Sequence, residues 1–290
     1  DAQYYKIHFE GTATWDRLFA QKHRVGALVY YYMSSQQTMD GNIDSKPESL
    51  RSMYAIPIRY QGVSSRLTYG FDDTYFIDAN FGYTGSENFQ KGHRFGFFPS
   101  FSAGWNVARE SWMEKSQDWL SELKFRASWG QIGNQNIANY QYYSTMTPVG
   151  NSNYWLKDGE YITYISTPGL VSSSFTWETV ETFDVGVDVS MFNNRLKGTF
   201  DWYSRTTRDM LMSGVQLPAV VGTSAPMQNA ADMRTKGWEL SLSWRDQIGD
   251  WSYNVGFNLY DYKSKILKYT ANEDKVIGDQ SSGYYYYEGM

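Results

Sequence analysis

Asp184, Asp188 and Asp201 are the side chains whose type and spacing first suggest chemistry. Asp184 and Asp188 stand in the run Thr182 to Met191, where Phe183, Val185, Val187, Val189 and Met191 alternate with small or acidic residues. A period of two puts both carboxylates on one face of a strand. Asp201 joins them from a returning strand, Leu196 to Ser204, behind a polar turn at Phe192 to Arg195. Carboxylates so placed either exchange protons with a bound group or line water. Proton exchange needs orienting partners, and His8, His23 and His93 stand isolated, without metal-ligand spacing and with no orienting acid expected beside them. Cysteine is absent, which removes disulfides, zinc-thiolate sites and thiol nucleophiles. The residues give no catalytic constellation, so the chain reads as a non-enzyme with neither cofactor nor metal.

Aromatic side chains offer a second chemistry. Between Gln131 and Thr179 the chain is rich in Asn, Ser and Gly and carries Tyr142, Tyr143, Tyr154, Trp155 and Tyr161. Exposed flat rings stack on sugar faces and other flat ligands, so these five are the candidate substrate contacts. A long loop without strand pattern is usually functional or disordered. Asp40-Gly41-Asn42-Ile43-Asp44 opens like a calcium loop, but Ser45 and Arg51 occupy the positions where that motif needs Gly and Glu, so it reads as a solvated loop. A net charge of −5 leaves no electrostatic footprint for nucleic acid.

The elements that would position these residues are strands. Glu181 to Met191 is roughly 36 Å long at about 3.3 Å per residue, and a tilt of about 45° brings it to roughly 25 Å of height, the apolar band of an outer-membrane barrel. Further alternating runs cover Tyr5 to Ala13, His23 to Tyr32, Ile58 to Phe71, Thr74 to Tyr83, Phe95 to Val107, Leu123 to Trp129, Trp238 to Trp244 and Trp251 to Leu259. Turns are expected near Trp15-Asp16-Arg17, at Asp72-Asp73, and at Asp246 to Asp250. Pro99 belongs at a strand end, an edge or a bulge. Arg109 to Ser121 has a helix-like composition. Gly283 to Met290 reads as a loop. No run of 18 apolar residues marks a membrane helix. Hydrophobic residues reach only 41%, yet aromatics make up 18%, as expected where half of each strand faces water and aromatic girdles mark two interfaces.

Connection lengths separate a membrane barrel from a soluble sandwich. Short turns alternate with long stretches at Ser34 to Ser49, Gln131 to Thr179 and Thr206 to Arg234, the asymmetry of periplasmic turns against external loops. Trp238 and Trp244 bracket Leu240 and Leu242 as an interface girdle would. Asp184, Asp188, Asp201 and Asn258 then face a wet lumen, where solvation alone is the expected role. About ten strands suit one arc of a larger antiparallel transmembrane β-barrel, and no leader opens the chain at Asp1, so it reads as a fragment. A passive porin and a surface glycan-binding β-sheet protein remain alternatives.

Three motifs carry a family resemblance. Phe98-Pro99-Ser100-Phe101-Ser102-Ala103-Gly104-Trp105, the segment Leu120 to Gln135 around Leu123-Lys124-Phe125-Arg126-Ala127-Ser128-Trp129-Gly130, and Thr235-Lys236-Gly237-Trp238-Glu239-Leu240 together resemble the SusC/RagA family of TonB-linked outer-membrane transporters. Thr84-Gly85-Ser86 departs from the family's Asp-Gly-Ser, and Asn229-Ala230-Ala231 from its Asn-X-Gly. The resemblance implies that residues 1–290 are part of a barrel of about 22 strands, with the plug domain and terminal strands outside the chain. It implies an outer-membrane location in a Bacteroidota-type cell and active import of glycans or peptides. It also implies TonB, acting through an N-terminal region beyond this chain, and a SusD-like surface lipoprotein as partners.

Overall fold

The computed structural model describes residues 3–39, 57–135, 142–144, 148–149, 156–157, 159–161, 164–165, 168–172, 176–213, 219–222, 226–270, 276–279 and 284–290. Ten strands form one antiparallel sheet whose spatial order follows the chain. They are β1 (Gln3–Phe19), β2 (His23–Met39), β3 (Ile58–Phe71), β4 (Tyr75–Ser86), β5 (Phe95–Asn106), β6 (Leu120–Asn134), β7 (Glu178–Met191), β8 (Leu196–Ser213), β9 (Met227–Ile248) and β10 (Trp251–Tyr269). Their length far exceeds the ~5–6 residues usual in soluble sheets, and they form an arc of a transmembrane barrel.

The register turns the alternation within each strand into two continuous faces. One row runs Leu67, Ala79, Phe101, Trp129, Phe183 across β3 to β7, and Val185, Trp202 and Trp238 continue it on β7 to β9. Ile77, Phe97, Phe101, Val255 and Phe257 are all exposed on this side. Leaving such a face in water would forfeit roughly 1.5–3 kcal/mol per large side chain, so it is the lipid side. The other side carries Arg66, Asp78, Lys124, Arg126, Asp188 and Asp201. Among the described residues no helix is long and apolar enough to cross a membrane.

Connections alternate as expected, with corrections in detail. The tight turns lie at residues 20–22, 72–74, 192–195 and 249–250. Asp72, Asp73, Asn193 and Asn194 adopt left-handed φ of 51°, 50°, 56° and 65°, a backbone that Asp and Asn tolerate better than other non-glycine residues. The first turn is not at Trp15-Asp16-Arg17: β1 passes through it, pairing Asp16 with Gly26, and turns after Phe19. The stretch from Thr206 to Arg234 is not all loop either, because β8 continues to Ser213 and β9 starts at Met227. Strands that project beyond the bilayer keep their hydrogen bonds but no longer need an apolar face, so alternation fades before the strand ends. Similarly β4 continues through Thr84 to Ser86, and Tyr284–Tyr287 is a strand paired with Val276–Asp279 rather than loop. Residues 107–119 hold 3-10 turns, Val107–Arg109 and Ser111–Ser116, in place of a helix. Pro99 pairs with Phe81 on β4, while the ladder to β6 begins only at Ser100. The missing N–H of Pro99 therefore falls where β5 and β6 part.

The apolar side chains lie mostly on the outside of the sheet, and two buried clusters gather at its loop end, opposite the tight turns. Phe89 and Trp177 are buried with Phe98, Leu211 and Met227 packed on them. Ala230, Ala231 and Tyr269 form a second cluster against Met210, Met212 and Ile266.

Candidate functional site

A fixed charge cluster occupies the lumen wall. Register places Arg126, Gly186 and Asp201 in one row across β6, β7 and β8, with Asp188 on the same face two pairs closer to the turn. Arg126 Nε donates to Asp188 Oδ2 at 2.6 Å, and Nη2 donates to Asp188 Oδ1 at 3.1 Å and to Asp201 Oδ1 at 2.8 Å. Thr199 Oγ1 adds a bond to Asp188 Oδ1 at 3.3 Å. Planar guanidinium geometry suits this two-sided grip on carboxylates. Gly186 makes it possible: a Cβ there would collide with the Asp201 carboxylate and meet Arg126 Nη2 at 2.8 Å. Arg126 reaches Asp201 across a strand that carries no side chain at the crossing.

Asp188 and Asp201 are thus ion-paired rather than merely solvated. Asp184 is placed differently. It lines a concavity of about 260 Å³ with Phe76, Asp78, Ser102, Lys124 and Arg126. Lys124 lies 4.9 Å from the centroid of the Phe76 ring, and Asp78 accepts from Arg66 Nη2 at 3.1 Å. Asn258 Oδ1 accepts from Ser241 Oγ at 2.8 Å. The wall is polar, charged and internally bonded.

At the opposite end from the tight turns, Thr176-Trp177-Glu178 ties the loops together. The Trp177 indole donates to Arg94 O at 3.0 Å and packs on Phe89 and Phe98 with ring centroids at 4.9 Å and 5.6 Å. Asn229 accepts from Thr176 N and donates to Thr176 O and Asp209 O. Glu178 accepts from Asn134 Nδ2 and from Leu211 N. Tyr142 donates to Glu87 O at 3.1 Å, and its ring sits 4.4 Å from that of Tyr143. Burial first, and the hydrogen bond with Tyr143 second, push the Tyr142 phenol up to about 12. Of the other aromatic candidates, Tyr154 and Trp155 lie outside the described residues, as do the Asp40 to Asp44 segment and Arg51. The Tyr161 backbone pairs with Leu156.

Sequence reasoning missed Arg126 and the Trp177 hub. Arg126 was visible as the cation on the lumen parity of β6, but its partners are set by register between strands, which no single strand spells out. One histidine also differs from expectation: His8 Nε2 lies 3.4 Å from Glu10 Oε2, which accepts from Tyr30 at 2.8 Å. An acid therefore does stand beside it. Among the described residues no group of three or more His, Asp or Glu could hold a metal ion.

Comparison with known proteins decides the family. The family described as TonB dependent receptor-like, beta-barrel matches residues 1–287. The chain belongs to the TonB-dependent receptor β-barrel family. This TonB-dependent receptor arc is 28% identical over 283 residues to TonB-dependent receptor P3 of Formosa agariphila, covering 97% of the chain and 26% of that protein. It is 31% identical over 229 residues to TonB-dependent receptor SusC of Bacteroides thetaiotaomicron, covering 78% of the chain and 23% of that protein. A solved structure of the RagAB peptide transporter superposes with a TM-score of 0.77 at 25% identity, over 99% of the chain and 33% of the solved one. The chain spans about a quarter of the length of these curated relatives. The motif resemblance to SusC and RagA agrees with these matches, and the TonB-dependent receptor arc is an outer-membrane protein.

Proposed function

We propose that the protein to which this arc belongs actively imports a bulky nutrient, an oligosaccharide or a peptide, across the outer membrane. The observation that carries the reading is the ten-stranded sheet with one apolar face and one internally ion-paired face, closed at one end by tight turns and framed at the other by long loops. A polar wall held by its own salt bridges stays open to a hydrophilic solute. Similarity to receptors named SusC and to the RagAB peptide transporter supports import of a nutrient too large for simple diffusion. In this reading the arc is the middle-to-late part of a barrel of about 22 strands, with a plug domain and terminal strands supplied by other parts of the protein. Energy comes through TonB. A SusD-like surface lipoprotein caps the external loops, where Tyr142, Tyr143, Tyr154, Trp155 and Tyr161 contact the solute. Asp184, Asp188 and Asp201 belong to the wall along which it passes. No catalytic step is assigned.

The test uses cells lacking the full reading frame and cells complemented with it, each given fluorescent oligosaccharides and peptides with and without a protonophore. Uptake is expected to need the gene and to stop when the proton gradient collapses. Uptake that survives the protonophore would make the barrel a passive pore. Equal uptake in deleted cells would refute import of either class. Co-purification with a surface lipoprotein encoded beside it tests the partner.

A further inference from the structure

One connection on the periplasmic side breaks the pattern of tight turns. Residues 107–119 join β5 to β6 through the 3-10 turns Val107–Arg109 and Ser111–Ser116. Its two ends are anchored, since Val107, Ala108 and the following Leu120 are buried. Its middle is not: Ser111–Ser116 contains no buried residue, Trp112 is 64% exposed and Trp119 is 46% exposed.

Glu110 fixes the height of the segment. Its Oε1 accepts from the Tyr75 hydroxyl at 2.5 Å and from the Trp105 indole at 2.9 Å. Both rings stand on the lipid side of the sheet, paired across β4 and β5 and stacked at 5°. The Glu110 carboxylate therefore lies at the periplasmic aromatic belt, outside the barrel. A 3-10 turn rises about 2 Å per residue, so the Trp112 backbone stays within roughly 4 Å of the Glu110 backbone along the turn axis. Indole pairs an apolar body with an N–H donor and partitions to the boundary between headgroups and acyl chains.

We propose that residues 107–119 rest on the periplasmic leaflet, with the Trp112 and Trp119 indoles seated among phospholipid headgroups. The occupant follows from continuity, because the segment adjoins the lipid-facing side through Tyr75 and Trp105 and shares their height. Lys115 stands one 3-10 turn after Trp112, on the same side of the segment, where its cation suits phospholipid phosphate. The inference rests on the membrane reading of the sheet, and the experiment separates the two.

The 290 residues hold no cysteine, so Trp112→Cys in the full-length protein adds a single thiol to this arc for an environment-sensitive fluorophore. Labelled protein is reconstituted into phosphatidylcholine vesicles carrying nitroxides at the headgroup or in mid-chain. The Trp112→Cys label is expected to emit to the blue and to be quenched more by headgroup nitroxide than by mid-chain nitroxide. A label at Val187→Cys, on the lipid face, should show the reverse preference, and one at Ser241→Cys, on the lumen face, should respond to neither. Met113→Cys gives a second reading from the same segment. If the Trp112→Cys and Met113→Cys labels both behave like Ser241→Cys while Val187→Cys is quenched, the proposal falls and the membrane reading stands. If Val187→Cys is not quenched, both fall. Shielding from a water-soluble quencher without nitroxide quenching would assign the segment to a protein surface and overturn the proposal.

Discussion

Gly186→Ala should be destabilising for a reason that a second substitution can remove. The new Cβ would lie within 2.8 Å of Arg126 Nη2 and closer still to the Asp201 carboxylate, so the Arg126–Asp201 bond at 2.8 Å must open. A hydrogen bond to a charged group contributes roughly 1.5–3 kcal/mol when buried. Arg126 and Asp201 keep 33% and 21% exposure, which brings the loss toward the ~1 kcal/mol upper end for solvated pairs. Alanine in a strand interior regains roughly 0.5–1 kcal/mol over glycine. The single substitution should therefore cost between about 0 and 0.5 kcal/mol, a small number open to many explanations. The background decides. In Asp201→Ala the collision partner is gone and Arg126 can withdraw to Asp188, so Gly186→Ala should become stabilising by about 0.5–1 kcal/mol. Urea unfolding of the full-length barrel in phospholipid vesicles, followed by tryptophan fluorescence, measures all four corners of the cycle. An equal cost of Gly186→Ala in both backgrounds would refute the claim that this glycine exists to let Arg126 cross β7.

Other predictions follow from the same geometry. Val187→Arg, on the lipid face near the midplane, should cost about 2–4 kcal/mol in the same unfolding assay. Asp188→Asn, mild if that carboxylate were only solvated, should instead cost about 1–2 kcal/mol, because it gives up charge-assisted bonds to Arg126. Trp177→Ala removes a buried ring from the rim cluster, a loss of about 3–5 kcal/mol in well-packed cores. It should appear as faster cleavage of the loops around Phe89 and Thr176 in limited proteolysis, with little change in the β-sheet circular dichroism. The Tyr75 hydroxyl, and secondly the Trp105 indole, hold Glu110 below the usual carboxylate range. A depressed pKa contributes stability above the unfolded value of about 4.3 and loses it as pH falls through the folded value. The Trp105 indole resonance, followed by NMR, should therefore keep its bonded position at pH 4.3 and move only under stronger acid; a shift centred at or above that pH would refute the clasp.

What could be read from the sequence tracks the bilayer. Where strands cross lipid, the solvent on one side must be apolar and on the other polar, so Phe183 to Met191 or Trp238 to Trp244 states its own inside and outside. Past the bilayer both sides are wet, and Thr206 to Ser213 or Met227 to Arg234 no longer alternates although it is still paired. The apparent turn at Trp15-Asp16-Arg17 came from polar residues that look like turn formers; Asp16 faces the lumen instead, opposite Gly26. The charge cluster was half legible. Asp184, Asp188 and Asp201 were found by period, but which of them Arg126 would hold depended on register across three strands and on a glycine that leaves the crossing open. The rim hub was not legible at all, since Phe89 and Trp177 come from two loops and Asn229 from the outer end of β9, all far apart in sequence.

The tight turns also bear on how the sheet is assembled. Every ladder in the ten-stranded sheet joins strands consecutive along it, and β1–β2, β3–β4, β7–β8 and β9–β10 are each closed by only a few residues with left-handed backbone already in place. Closing such short loops costs little chain entropy, and each doubling of loop length adds about 0.6 kcal/mol. These four hairpins can zip from their closed ends as separate units with register fixed at birth. The wide external gaps are then bridged by docking finished hairpins side by side. The pair β5–β6, joined by residues 107–119, lacks a tight closure, so its alignment must be imposed from outside, by its neighbours β4 and β7 and by whatever surface holds that connection in place.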